Sequence, residues 1–147
     1  MLNDPVNLVD LLGLKVDENL VPIYHRTILS IPSGLLINLH ALFYSNPDAY
    51  TILAHGYHGN SPAIYNNLED IVKRAKKSGK KYIELIVCEA GQHDPEYDIG
   101  GKNIVEILFD KTGLPIKYTE DFVKFNMFGL KLEKSKNAKT HGWKWMK

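Results

Sequence analysis

Apolar residues form short continuous runs and one clear helical stripe in the middle of the chain. Tyr50–Ala54 and Tyr82–Val87 are largely apolar, which is typical of central strands in a parallel sheet covered on both faces. Between them, apolar residues recur at helical spacing and predict a helix over about Pro62 to Ser78, with Ser61 as its N-cap and Gly79 at its end. The stripe consists of Ile64, Leu68, Ile71, Val72 and Ala75.

The same order of elements continues downstream. A second helix is predicted at about Lys102 to Lys111 and a strand at Leu114 to Tyr118, and the alternation from Phe122 to Leu132 predicts a terminal hairpin with its turn at Gly129. Two further strands are predicted upstream, at Tyr24–Ile31 and Leu35–Phe43. Short linkers between strands and helices predict an α/β fold, with mostly parallel central strands flanked by helices and a C-terminal β-hairpin.

Composition and charge narrow the class of protein. The chain has 147 residues, enough for one domain, and its 18 basic and 17 acidic residues leave a net charge of +1. The net charge is too small to attract nucleic acid or an anionic membrane by long-range electrostatics, and we expect neither as a partner. We also expect no membrane span and no signal peptide, because the apolar runs are short and the first residues lack a basic stretch before an apolar core.

The best candidates for chemistry are His55 and Cys88, which follow the two apolar runs. In parallel α/β sheets, functional residues gather beyond the carboxyl ends of the strands. A cysteine nucleophile needs a neighbouring imidazole to move its proton and backbone N–H groups to hold the oxyanion. Gly56 suits such a site because it has no Cβ to obstruct a substrate carbonyl. Cys88 is the single cysteine, so a disulfide framework and a multi-cysteine zinc site are excluded.

These segments resemble a known family. Thr51-Ile-Leu-Ala-His-Gly and Ile83-Glu-Leu-Ile-Val-Cys-Glu-Ala-Gly are similar to the two signatures of caspase-like (clan CD) cysteine peptidases. Downstream, Gly101-Lys-Asn-Ile-Val-Glu-Ile-Leu and Thr112-Gly-Leu-Pro-Ile resemble the helix and strand that follow the cysteine in bacterial members. The resemblance covers roughly Ala49 to Phe125, about half of the chain.

The resemblance implies a role for each matching residue. His55 is the general acid/base, Cys88 is the nucleophile, and the backbone N–H groups of Gly56 and Cys88 form the oxyanion hole. A second His-Gly pair, His58-Gly59, leaves the choice of base open between the two histidines. The implied substrate is a protein, and we expect no cofactor and no metal.

A second resemblance lies at the N-terminus. The segment from Asn3 to Leu14 is similar to the end of the RHS (rearrangement hot spot) core, with Leu11 where that motif has Pro. Residues 1–14 are then the end of an RHS-core-like segment, and residues 15–147 are a caspase-like toxin domain. The resemblance implies a secreted effector of competition between bacteria, acting in the cytoplasm of the target cell and matched by an immunity protein.

Alternatives remain open at the same residues. Cys88 could be a structural cysteine, since cysteine is among the most buried residue types. His55 and His58 are spaced as metal ligands, and Cys88, His93, Asp94 or Asp98 could complete a site in a metal-dependent nuclease.

The acidic loop Glu89 to Asp98 offers a third interpretation. It could serve a binding module that is not an enzyme. In the peptidase interpretation, it selects basic substrate side chains instead. The candidate substrate-binding residues are His58, Glu89, Asp94, Glu96 and Asp98.

Overall fold

The computed structural model describes residues 16–20, 46–126 and 129–147. The predicted strands Tyr24–Ile31 and Leu35–Phe43, the RHS-like segment and the boundary at residue 15 lie outside the described residues. The strands are β1 (Glu18–Asn19), β2 (Ala49–Ala54), β3 (Tyr82–Val87), β4 (Ile116–Thr119), β5 (Phe122–Asn126), β6 (Gly129–Glu133) and β7 (Trp143–Met146). The helices are α1 (Pro62–Asn66), α2 (Leu68–Lys77) and α3 (Ile104–Thr112).

Five strands form one sheet in the order β1-β2-β3-β4-β7. The first four are parallel to their neighbours, and β7 runs antiparallel to β4. The predicted parallel pairing of the two apolar runs is confirmed, with Ala49 opposite Tyr82 and Ala54 opposite Val87. The fold is therefore α/β with a mostly parallel sheet, as the order of elements predicts.

The predicted helix between these strands is interrupted at Asn67, which separates α1 from α2. Its side-chain amide donates to the carbonyl of Ala63 at 2.7 Å, and its backbone N–H donates to the carbonyl of Ile64 at 3.0 Å. Asparagine side chains compete with helical backbone bonds in this way. The predicted apolar stripe is largely confirmed: Ile64, Leu68, Ile71 and Ala75 are buried, and Val72 is half-buried.

The second predicted helix begins two residues later than expected. Asn103 accepts the N–H of Glu106 at 2.9 Å, and the Glu106 side chain accepts the N–H of Asn103 at 3.1 Å. This capping box fixes the start of α3 after Asn103. Gly113 ends the helix in the left-handed conformation with φ 69°, where glycine carries no Cβ penalty.

The two faces of the sheet are covered by different elements. All three described helices pack on the first face, around Ile52, Leu85 and Val87. The hairpin β5–β6 packs on the second face, where Leu53, Ile86 and Val123 form a smaller core. No described helix is long and apolar enough to cross a membrane.

The hairpin predicted for Phe122 to Leu132 is confirmed, but Gly129 begins β6 opposite Asn126 and so is not the turn, and the hairpin is not the last element of the chain. The strand β7 was not predicted from the basic C-terminal segment. It pairs with β4 from Thr119 opposite Trp143 to Ile116 opposite Met146. The alternation Trp-Lys-Trp-Met is the signal that would have identified it.

Candidate active site at the ends of two parallel strands

His55 directly follows the last residue of β2, and Cys88 directly follows the last residue of β3. Ala54 and Val87 are opposite one another in the β2–β3 register, and they are the last residues of their strands. Neighbouring strands lie about 4.8 Å apart. The backbones of the two candidates therefore leave the sheet side by side.

The alternation of side chains along β2 and β3, extended by one residue, predicts the second face for both residues. Leu53 and Ile86, two positions earlier, belong to the core beneath the hairpin, and Cys88 packs against that same core. A Cβ on Gly56 would lie 2.2 Å from Val87 Cγ1, whose side chain is on the first face. The position of Gly56 agrees with alternation through His55, which predicts the second face for the His55 side chain. His55 is exposed.

Gly56 brings the two loops into contact. A Cβ at this position would lie 2.7 Å from the carbonyl oxygen of Cys88 and 3.1 Å from that of Asn60. Glycine is therefore required by the packing of the loop after β2 on the end of β3. Its role in an oxyanion hole stays a prediction.

The Cys88 thiol is held by the first strand of the hairpin. Its Sγ–H donates to the carbonyl of Val123 at 3.4 Å, and the Val123 N–H donates to Sγ at 3.2 Å. Burial raises the pKa of the Cys88 thiol, the Val123 N–H opposes that effect, and the negative charge of Glu89 adds to it. The thiol is protonated at neutral pH in this arrangement, and no described histidine is hydrogen-bonded to it.

His58 contacts the acidic loop instead. Its ring stacks on Tyr97 with centroids 4.9 Å apart, and its Nδ1 lies 3.9 Å from Asp94 Oδ2. Tyr57 meets Tyr97 edge-on at 5.2 Å and is 42% exposed. His55 and His58 therefore occupy different surroundings, although they are three residues apart in sequence.

The acidic candidates divide into two pairs. Glu89 is 4% exposed, and the Asp98 carboxylate lies 3.1 Å from His93 Nδ1 with its side chain 8% exposed. Glu96 is exposed and Asp94 is half-buried, so these two present carboxylates to solvent.

His93 is one of the candidate metal ligands of the nuclease alternative. It is half-exposed and bridges two carboxylates, because its Nε2 lies 3.1 Å from Glu106 Oε1 while its Nδ1 faces Asp98. This bridge ties the acidic loop to the first turn of α3.

Among the described residues, no three or more His, Cys, Asp or Glu side chains converge in a way that could hold a metal ion. His58 lies 3.9 Å from Asp94, one of the candidate ligands, but among the described residues no third His, Cys, Asp or Glu side chain converges on them. The metal alternative therefore gains no support from the described part of the chain.

A cleft of about 470 Å³ lies on the helical side of the molecule. Its walls include Tyr65, Asp70, Ile107 and Lys111. Neither His55 nor Cys88 contributes to it, so it is not part of the candidate active site.

Sequence reasoning missed a buried polar network beside Cys88. Glu89, Gln92 and Ser135 are each less than 5% exposed and are joined by side-chain hydrogen bonds. No local signal marks such a network, because Ser135 is 46 residues from Glu89.

The chain matches no protein-family model, and no curated protein and no solved structure is significantly similar to it.

Proposed function

We propose that this chain is a cysteine peptidase of the caspase-like type, and that it cleaves a protein substrate with Cys88 as nucleophile and His55 as general acid/base. The observation that carries the proposal is the register of β2 and β3. It brings the two residues to adjacent strand ends, and the alternation of side chains along a strand puts both on the face that the hairpin covers.

The reaction begins when the Cys88 thiol exchanges its contacts with Val123 for the His55 imidazole. The imidazole takes the thiol proton, and the thiolate attacks the scissile carbonyl carbon. Backbone N–H groups of Gly56 and Cys88 stabilise the resulting oxyanion. The imidazolium then protonates the leaving amine, and a water molecule, activated by the same imidazole, hydrolyses the thioester and restores the thiol.

Substrate selection is assigned to the solvent-facing part of the acidic loop. Asp94 and Glu96 present carboxylates, and His58 lies beside Asp94. The two carboxylates favour a basic substrate side chain near the cleavage site. Glu89 and Asp98 are held in internal contacts, which leaves Asp94 and Glu96 as the binding carboxylates.

The biological setting follows from the N-terminal resemblance to the RHS core. We infer a toxin domain of an RHS-type polymorphic toxin, delivered into the cytoplasm of a competing or target cell. Its producer carries a cognate immunity protein. The reaction uses only side chains and backbone N–H groups, so activity persists in the presence of a metal chelator.

Substitution of the candidate residues tests the chemistry. The chain is expressed inside a sensitive bacterium, and surviving colonies are counted. Cys88→Ala and His55→Ala each abolish growth inhibition, because nucleophile and base act as one unit. His58→Ala leaves much of it, because His58 lies beside Asp94 in the substrate-selecting loop and takes no part in the proton transfer. Toxicity of a folded Cys88→Ala protein would exclude the peptidase.

A further inference from the structure

Two residues beside the candidate site adopt a backbone conformation that side chains rarely tolerate. His58 has φ 50° and Glu89 has φ 56°, and they follow the ends of β2 and β3. Left-handed conformations of residues other than glycine cost of order 1 kcal/mol or more, and they persist where the surroundings enforce them. Both residues therefore lie in loops that the rest of the molecule holds in place.

The two strained residues are bonded to each other. The His58 N–H donates to Glu89 Oε1 at 3.3 Å, and the neighbouring Gly59 N–H donates to the carbonyl oxygen of Glu89 at 2.9 Å. The loop that carries His55 is therefore attached to the loop that begins at Cys88 through Glu89.

The other carboxylate oxygen of Glu89 faces the interior. Glu89 Oε2 accepts hydrogen bonds from Gln92 Nε2 at 3.0 Å and from Ser135 Oγ at 2.6 Å. Its partners among the described residues are neutral donors, with no ion pair to a basic side chain. A carboxylate accepts hydrogen bonds at both oxygens. The Glu89 side chain is long enough to reach the buried donors of Gln92 and Ser135 with one oxygen and the His58 N–H with the other.

We propose that Glu89 is a positioning residue for the His55–Cys88 pair, holding the loop of the histidine against the end of the cysteine strand. The inference rests on the proposed function, since it assigns Glu89 a role only through His55. It also gives a role to the buried carboxylate one residue after Cys88.

The rate of Cys88 alkylation by iodoacetamide at neutral pH measures the contribution of His55, and Cys88 is the only thiol that reacts. The thiol held by Val123 is protonated, so alkylation at neutral pH reports the molecules in which Cys88 has exchanged Val123 for the His55 imidazole and has become a thiolate. We expect His55→Ala to slow alkylation in the otherwise native chain, because it removes that thiolate. In a Glu89→Ala background the same substitution changes nothing, because the loop no longer presents the imidazole.

Two conservative variants separate position from charge and remain informative if Glu89→Ala does not fold. Glu89→Gln keeps the length and an acceptor for the His58 N–H, so the effect of His55→Ala persists. Glu89→Asp keeps the charge but is one methylene shorter and cannot reach both sets of donors, so the effect is lost. The reverse pattern would overturn a positioning role.

Ser135→Ala is the matched control. It removes a hydrogen bond from the same carboxylate without touching the histidine loop, so it lowers stability and preserves the effect of His55→Ala. An equal effect of His55→Ala in the native and Glu89→Ala backgrounds refutes the role of Glu89 alone. No effect of His55→Ala in the native chain refutes the proposed dyad itself.

Discussion

The pKa of the Cys88 thiol depends on burial, on a hydrogen bond and on a nearby charge. Burial raises its pKa, the Val123 N–H lowers it, and the Glu89 carboxylate raises it again, with a net increase. A cysteine nucleophile reacts as the thiolate. The proposed reaction therefore depends on replacing the Val123 contact with an imidazole, and the resting thiol is in its unreactive form.

The raised pKa predicts the pH dependence of both alkylation and stability. In the native chain, the midpoint for iodoacetamide labelling lies at higher pH than in the urea-unfolded chain, as mass spectrometry over a pH series would show. The folded state also holds the thiol proton more tightly. The free energy of unfolding therefore falls as pH rises from the unfolded thiol pKa, about 8.5, through the higher folded value.

Cys88→Ser provides the control for the stability measurement, since its hydroxyl does not titrate in this range. The alkaline decrease in unfolding free energy should be smaller in that variant. A native labelling midpoint at or below that of the unfolded chain would contradict the environment described for the thiol.

Asp121, beside the first strand of the hairpin, fixes that element to the rest of the chain. Its carboxylate accepts the N–H of Ser135 at 3.2 Å and that of Gly142 at 2.8 Å, and it lies 2.7 Å from His141 Nδ1. Burial by itself raises the pKa of Asp121, but these hydrogen bonds outweigh it and the pKa is lowered. The charged carboxylate therefore stabilises the segments on both sides of the hairpin.

Asp121→Ala is expected to lower the free energy of unfolding by about 1–3 kcal/mol, because it leaves buried N–H groups without an acceptor. A folded pKa below the unfolded one contributes stability above the unfolded value, about 3.9, and loses it as pH falls through the folded value. The difference between native and variant chains should therefore be largest at neutral pH and shrink on acidification in urea titrations. A difference independent of pH would contradict this assignment.

The elements show what a sequence can predict. The runs that form β2 and β3, the hairpin and the end of α3 at Gly113 were predictable because their signals are local: apolar periodicity and a glycine at a helix end. The adjacency of His55 and Cys88 followed from the parallel pairing. The contact of Cys88 with Val123 did not, because it depends on docking of the hairpin 35 residues away.

At the scale of the whole molecule, one buried cluster joins the N-terminal strand to the sheet and to a helix. Glu18 in β1 is 7% exposed and accepts a hydrogen bond from the Tyr50 hydroxyl of β2. Arg74 of α2 binds the same carboxylate in a bidentate manner, through Nε at 2.6 Å and Nη2 at 3.0 Å. Burial, followed by the Glu18 carboxylate, raises the pKa of Tyr50, so its hydroxyl remains a donor.

β1 pairs with β2 over only two residues, so we expect the side-chain contacts of this cluster to contribute much of the free energy that holds β1 on the sheet. Arg74→Ala leaves the buried Glu18 carboxylate without its cation. Removing one partner of a fully buried ion pair costs about 3–5 kcal/mol, and the half-exposed guanidinium reduces the expected loss to about 2 kcal/mol. Arg74→Lys should lose less stability, because it keeps the charge but not the bidentate geometry.

Lys73→Ala, at an exposed position of the same helix, is the matched control and should change stability by less than about 0.5 kcal/mol. Equal unfolding free energies for Arg74→Ala and Lys73→Ala in urea would show that Arg74 contributes nothing to the attachment of β1.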